Sequence, residues 1–197
     1  MEHLLLATGF TGGLTLIFIC RWFYRWLKTP LALGVHFSPK GGCTETVVKH
    51  IRRARHEILL QAYSFTSKPI AEALVDAKGR GLQVDILLDR SNEQESYSEL
   101  KDLLGEGLVP LIDAEHAIAH NKVLILDGAT VVTGSFNFTH QAEAENAENL
   151  IVIQGHPELA RAYRQNFLEH KAHSKPAQRS KSKLASPHAH ADERKAA

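Results

Sequence analysis

Two short polar pairs stand out in the chain: His120 with Lys122, and Ser135 with Asn137. Each pair is spaced i, i+2, and in an extended strand residues two apart point to the same face. The apolar runs Asn121–Leu126 and Thr130–Thr133 connect the pairs and flank Asp127-Gly128, a strong hairpin signal. Paired as a hairpin, they bring an imidazole, an ammonium, a hydroxyl and an amide together at one end of a sheet. The last three donate hydrogen bonds at neutral pH. Such a set cradles an anion, and phosphate is the natural one. A metal site would need several His, Cys, Asp or Glu at ligand spacing. Lys122 and Asn137 are poor company for a cation, so no metal is expected at this cradle. A strand histidine standing alone would read as structural; it is the set that gives His120 a chemistry.

The elements that must position this set alternate along the chain. Gly34–Ser38, Glu57–Tyr63, Leu82–Asp89, Leu108–Ile112 and Asn149–Ile153 read as strands. Between them, Val47, Val48, Ile51 and Ala54 fall at helical spacing, as do Ile70, Ala73, Leu74 and Ala77. Ser67 stands where a cap belongs, with Pro69 in the first turn. Leu100, Leu103 and Leu104 mark a short helix, and Pro157 opens a last one carrying Leu159, Ala160, Tyr163, Phe167 and Leu168. This alternation predicts an α/β domain: a mixed β-sheet with helices on both faces. Tyr63, Ser64 and Thr66 fall at a strand's C-terminal end, where α/β sites form.

The full pattern H-x-K-x4-D-x6-G-S-x-N, here His120, Lys122, Asp127, Gly134, Ser135 and Asn137, is the HKD motif. It resembles the phospholipase D superfamily, and within it the single-motif branch of bacterial Nuc-type endonucleases and mitochondrial phospholipase D/Zucchini proteins. The resemblance runs from about Val35 to Lys171 and includes Phe37-Ser38-Pro39, Ala62–Thr66 and Asn146–Asn149. It implies a phospholipase D-like fold and a phosphodiesterase that uses no metal or other cofactor. It implies that His120 attacks phosphorus to form a phosphohistidine. Lys122, Ser135 and Asn137 would hold the non-bridging oxygens. Glu148 would orient the imidazole, with Glu145 a less suitable substitute. Asp127 would brace the hairpin in a supporting role. The mechanism also requires a second, protonated histidine for the leaving oxygen. Larger relatives carry two motifs; this chain carries one. A homodimer with the active site across its two-fold axis is therefore expected.

The chain has 197 residues, 44% of them hydrophobic, and only two cysteines, which excludes a disulfide scaffold. A formal charge of +1 hides a division: residues 29–170 hold 13 basic and 19 acidic side chains, between two basic ends. An acidic domain is a poor non-specific binder of polyanions, so the placement of individual cations must matter. Leu4 to Cys20 carries no charge and is followed by Arg21, Trp22, Phe23, Tyr24, Arg25, Trp26 and Lys28. That pattern predicts a retained membrane anchor helix over residues 1–28 with the catalytic domain on the cytoplasmic side. A cleaved signal would instead place the domain in the periplasm or outside the cell. The domain is expected over residues 34–171, and a basic disordered tail over 172–197. The favoured function is endonucleolytic cleavage of DNA or RNA. Phospholipid headgroup hydrolysis at the membrane is the alternative, and a tethered phosphate-binding protein without turnover is a third.

Overall fold

The computed structural model describes residues 30–94 and 98–178, so the expected anchor helix and most of the basic tail lie outside the described residues. Among the described residues no helix is long and apolar enough to cross a membrane.

Eight described strands form one mixed sheet in the order β1-β7-β6-β5-β2-β3-β4-β8. They are β1 (Ala32–Phe37), β2 (Glu57–Ala62), β3 (Gln83–Asp89), β4 (Leu111–Asp113), β5 (Lys122–Leu126), β6 (Thr130–Gly134), β7 (Asn149–Gln154) and β8 (Lys175–Pro176). Strands β2, β3 and β4 run parallel, as strands joined by helical crossovers must. The hairpin strands β5 and β6, with β7 and β1, complete the sheet in antiparallel fashion. The central strands are buried on both faces, which is why EILLQA and KVLIL read as nearly unbroken apolar runs.

Helices α1 (Cys43–Arg53) and α2 (Lys68–Gly79) cover one face, over a core that includes Val47, Ile51, Ile58, Leu60, Leu74 and Leu124. The short helix α3 (Leu100–Gly105) adds Leu100 and Leu103 to that core. The other face is covered by the long helix α5 (Pro157–His173), whose Phe167 packs on Leu59, Leu87, Val123 and Ile125. Full burial of a side chain of this size contributes roughly 1.5–3 kcal/mol. A five-residue helix, α4 (His140–Ala144), connects β6 to β7 and is capped by the Thr139 hydroxyl. Ser67 takes the N-cap position of α2 but makes no side-chain cap bond.

The ordered domain extends beyond Lys171. Helix α5 continues to His173, and Lys175–Pro176 then pair with Leu111 and Ile112 of β4. Asp113, 1% exposed at the end of β4, ties the two together by accepting from His116, His170 and His173. Burial pushes its carboxyl up, but these histidine hydrogen bonds outweigh that effect and hold it at about 2.

Asp127 braces more than the hairpin turn. Its φ of 52° and the 61° of Gly128 make the tight turn between β5 and β6. Its carboxylate then accepts from the backbone N–H groups of Arg55, His56 and Glu57 at 2.8–3.2 Å, fixing the start of β2. Burial raises this carboxyl, but the three N–H groups outweigh it and the net shift is downward. A carboxyl depressed in the folded state contributes stability above its ordinary range, and that contribution is lost as pH falls through the depressed value. Asp127→Ala is therefore expected to cost about 1–2 kcal/mol at neutral pH, and less toward low pH. Asp127→Asn, which tolerates the left-handed backbone, is expected to cost less. Urea denaturation at pH 7 and pH 3 checks both.

Candidate active site

His120 stands at the entry to β5, held by its neighbours rather than by its ring. The N–H of Ala119 donates to the buried Asp89 carboxylate at 2.8 Å, and the carbonyl of Asn121 accepts from Tyr63 N–H at 2.9 Å. The His120 carbonyl accepts from Lys122 Nζ at 3.0 Å. Its backbone is thus fixed on both sides while the side chain stays exposed. The ring packs against Tyr63, with centroids 4.6 Å apart. The same tyrosine lies under Lys122 Nζ at 5.0 Å.

Lys122 is 6% exposed, an unusual place for an ammonium. Burial pushes its pKa down, and the Glu148 carboxylate pulls it part of the way back. A desolvated cation of this kind gains from any anion placed beside it.

The stretch Gly134-Ser135-Phe136-Asn137-Phe138 builds the opposite wall by alternation. Phe136 and Phe138 are fully buried, so Ser135 and Asn137 are turned the other way. Phe138 also bridges to Phe65, and its carbonyl accepts from Thr66 and Ser67. The Ser135 hydroxyl accepts from the backbone N–H of Asn149 at 3.1 Å and from its side-chain Nδ2 at 3.2 Å. With its lone pairs occupied, the O–H proton is free for a ligand. Asn137 Oδ1 is buried without a hydrogen-bond partner. That oxygen is an acceptor, so among the described residues it is a donor that this amide lacks.

Pairing of β5 with β6 and of β6 with β7 brings Lys122, Gly134 and Asn149 to one end of the sheet. His120 immediately precedes β5 at that end, and Ser135 and Asn137 follow β6 there. Glu148 lies beside them, its Oε1 accepting from Asn146 Nδ2 at 3.1 Å; among the described contacts it makes no bond to His120. Asp127 is at the far end of β5, roughly 17 Å along the strand, outside the cluster. Glu145 caps the end of α4. His36 contacts Thr46, and His116 joins Asp113. Two contributors carry no motif signature: Tyr63, which touches both His120 and Lys122, and Asn149, which aims Ser135. Both fall in stretches that carry the family resemblance, Ala62–Thr66 and Asn146–Asn149, but outside the spaced pattern from His120 to Asn137.

A family model described as "Cardiolipin synthase, PLD-like domain" matches residues 47–171. A protein named "Phospholipase D" from Rickettsia bellii is 48% identical over 136 residues, covering 69% of this chain and 67% of that protein. A "Mitochondrial cardiolipin hydrolase" from Xenopus tropicalis is 30% identical over 115 residues, 58% of this chain and 54% of that protein. Among solved structures, the phospholipase D family member Nuc from Salmonella typhimurium superposes with a TM-score of 0.73 at 34% identity, covering 76% of this chain and all of that one. NucT from Helicobacter pylori, at 21% identity and a TM-score of 0.68, shares the fold.

Gly134 is the tightest point of this wall. Its φ is 151°, and a Cβ there would lie 2.2 Å from the carbonyl oxygen of Asn149, a backbone atom that cannot swing away. Gly134→Ala is expected to push β7 off β6, cost about 2–4 kcal/mol and displace Ser135. Thermal melting, with phosphate binding followed by NMR, checks both effects.

Proposed function

Because the chain belongs to the single-motif branch of the phospholipase D superfamily, and is a phosphodiester hydrolase, we propose that it is a metal-independent endonuclease of DNA or RNA. The observation that carries this reading is an exposed imidazole at the same end of the sheet as a desolvated ammonium, a hydroxyl whose proton is uncommitted and an amide. His120 attacks phosphorus as the bond to the leaving oxygen breaks. Lys122 Nζ, the Ser135 hydroxyl and the Asn137 amide hold the non-bridging oxygens, where negative charge builds. Water then cleaves the phosphorus–nitrogen bond and frees His120. In this reading the half-buried Tyr63 ring, against His120 and under Lys122 Nζ, packs its remaining surface on a nucleobase.

The leaving oxygen needs a proton, and the described site holds one such histidine. A second copy of the chain supplies the other, protonated, and that imidazole later takes the proton from water. Leu33, Val35 and Phe37 are 54–64% exposed and share one face of the edge strand β1. This stripe runs up to the site: Phe37 pairs with Asn149, and Ser38 N–H donates to the Glu148 carbonyl at 3.1 Å. A copy seated on the stripe buries it and brings its histidine to the cradle. Glu148, which bonds no histidine among the described residues, then orients the one across the axis.

A second reading is favoured by relatives named for lipid hydrolysis and by the apolar N-terminal segment. The same cradle would accept a phospholipid phosphodiester presented at a membrane to which residues 1–28 tether the domain.

The decisive assay offers single-stranded DNA, duplex DNA and RNA to the protein in excess EDTA, beside vesicles containing cardiolipin. Nucleic acid is expected to be cut, and His120→Asn to lose at least ~10^3-fold in rate. Turnover of vesicles alone would replace this reading with the lipid one, and undiminished cleavage by His120→Asn would remove the nucleophile from it. Val35→Asp is expected to sediment as a monomer and to lose cleavage with dimerisation; a dimeric, active variant would place the interface elsewhere.

A further inference from the structure

Away from the phosphate cradle, four side chains converge that no part of the hydrolysis uses. Asp113 and His116 are spaced i, i+3 at the exit of β4, and His170 and His173 are spaced i, i+3 on the last turn of α5. One ligand atom from each lies within 4.8 Å of every other. His170 Nδ1 is 2.6 Å from Asp113 Oδ2, while His116 Nδ1 and His173 Nε2 are 3.2 and 3.3 Å from Oδ1. The imidazole centroids are only 4.7–5.4 Å apart.

Three imidazoles around one carboxylate is the donor set of a transition-metal site, not of an ordinary ion pair. We propose that Asp113, His116, His170 and His173 bind one divalent transition-metal ion, zinc above all, as a structural clamp between β4 and α5. Tetrahedral zinc at 2.0–2.2 Å from nitrogen and oxygen separates its ligands by roughly 3.3 Å. Two of the carboxylate–imidazole distances, 3.2 and 3.3 Å, match that spacing, and the third, 2.6 Å, has to open by about 0.7 Å to admit an ion. Asp113 is buried, whereas the His116 and His173 side chains are 46% and 31% exposed, so an ion has a way in. Glu93 and Glu115 rim the adjoining cleft together with Lys175, which leaves its lining with one more acid than base.

The position also says what the clamp does. Asp113 and His116 begin the connection that ends at His120, and Ala119 within it is held by Asp89, the register partner of Asp113. Strand β4 lies three places from β5, roughly 14 Å across the sheet, so the ion does not reach the reacting phosphate. It would stabilise the edge of the domain while phosphodiester cleavage continues without it.

The test is zinc titration of the full-length protein, stripped with chelator and followed by calorimetry and thermal melting. One equivalent is expected to bind in the micromolar range or tighter and to raise the melting temperature. His170→Gln/His173→Gln should lose both effects. His116→Gln, a change at an exposed side chain that leaves the core intact, should weaken binding at least tenfold. His188→Asn/His190→Asn, which removes tail histidines, should change neither. The proposal is overturned if zinc does not bind stoichiometrically, if His116→Gln binds as the wild type does, or if the tail variant abolishes binding.

Discussion

The register of the β5–β6 hairpin is the constraint on which the site depends. The turn at Asp127-Gly128 places Leu126 opposite Thr130, and every later pair follows from it: Val123 meets Thr133, and the ends carrying Lys122 and Gly134 arrive side by side. A slip of one residue would turn Ser135 and Asn137 into the core and Phe136 and Phe138 out to solvent. Two fully buried phenylalanines oppose that slip, since each forfeits roughly 1.5–3 kcal/mol on exposure. The polar wall of the cradle is therefore held in place by apolar residues that never touch a ligand. The Asp127 carboxylate ties the far end of the same hairpin to β2, so a residue roughly 17 Å away along the strand supports the geometry without joining it.

Much of this could be read from the sequence, because it rests on local periods. The strands on which the two polar pairs were expected form β5 and β6, with His120 just before the first and Ser135 and Asn137 just after the second, and the helices marked by Val47, Ile51, Leu74 and Phe167 are present. What was not legible depends on contacts between distant segments. Asp127-Gly128 announces a turn, but nothing local says that its carboxylate reaches Arg55. Asp113 and His170 are 57 residues apart, and only the docking of α5 and β8 against β4 joins them. That same docking carries the ordered domain past Lys171 into a stretch whose Lys, Ser and Pro composition reads as tail. Tyr63 is similar: its strand-end position suggested a groove, while its contact with both His120 and Lys122 requires β2 and β5 to be neighbours.

The acidic balance of the domain sharpens the electrostatic logic. Long-range attraction cannot be the main source of phosphate affinity when residues 29–170 carry more acid than base. The fold relies instead on a small number of groups made expensive to leave unpartnered. Lys122 is desolvated, with Glu148 nearby as partial compensation. Asn137 Oδ1 is buried without a partner, and the Ser135 hydroxyl has its acceptor sites filled by Asn149. The desolvated Lys122 ammonium is a cost within the free protein that a bound phosphodiester relieves, and the Ser135 O–H is left to donate to it. Binding energy of this kind is short-ranged and geometric, so it selects for a correctly placed tetrahedral anion rather than for polyanions in general.

The same reasoning bears on the exposed side of the sheet. Helix α5 covers the face over Leu59, Leu87, Val123 and Ile125 but leaves Leu33, Val35 and Phe37 bare at the β1 edge. A row of alternating apolar residues on an unpaired edge strand invites association and aggregation, so its presence needs a compensating reason. The chemistry supplies one. A chain with a single nucleophilic histidine is half of an acid–base pair, and the bare edge terminates at Phe37, whose register partner Asn149 aims Ser135. One contact would cover the stripe, close the open end of the cradle and bring in the missing imidazole. Under the proposed dimer, fold stability and catalysis would make the same demand on the molecule, and one contact would complete both the edge and the site.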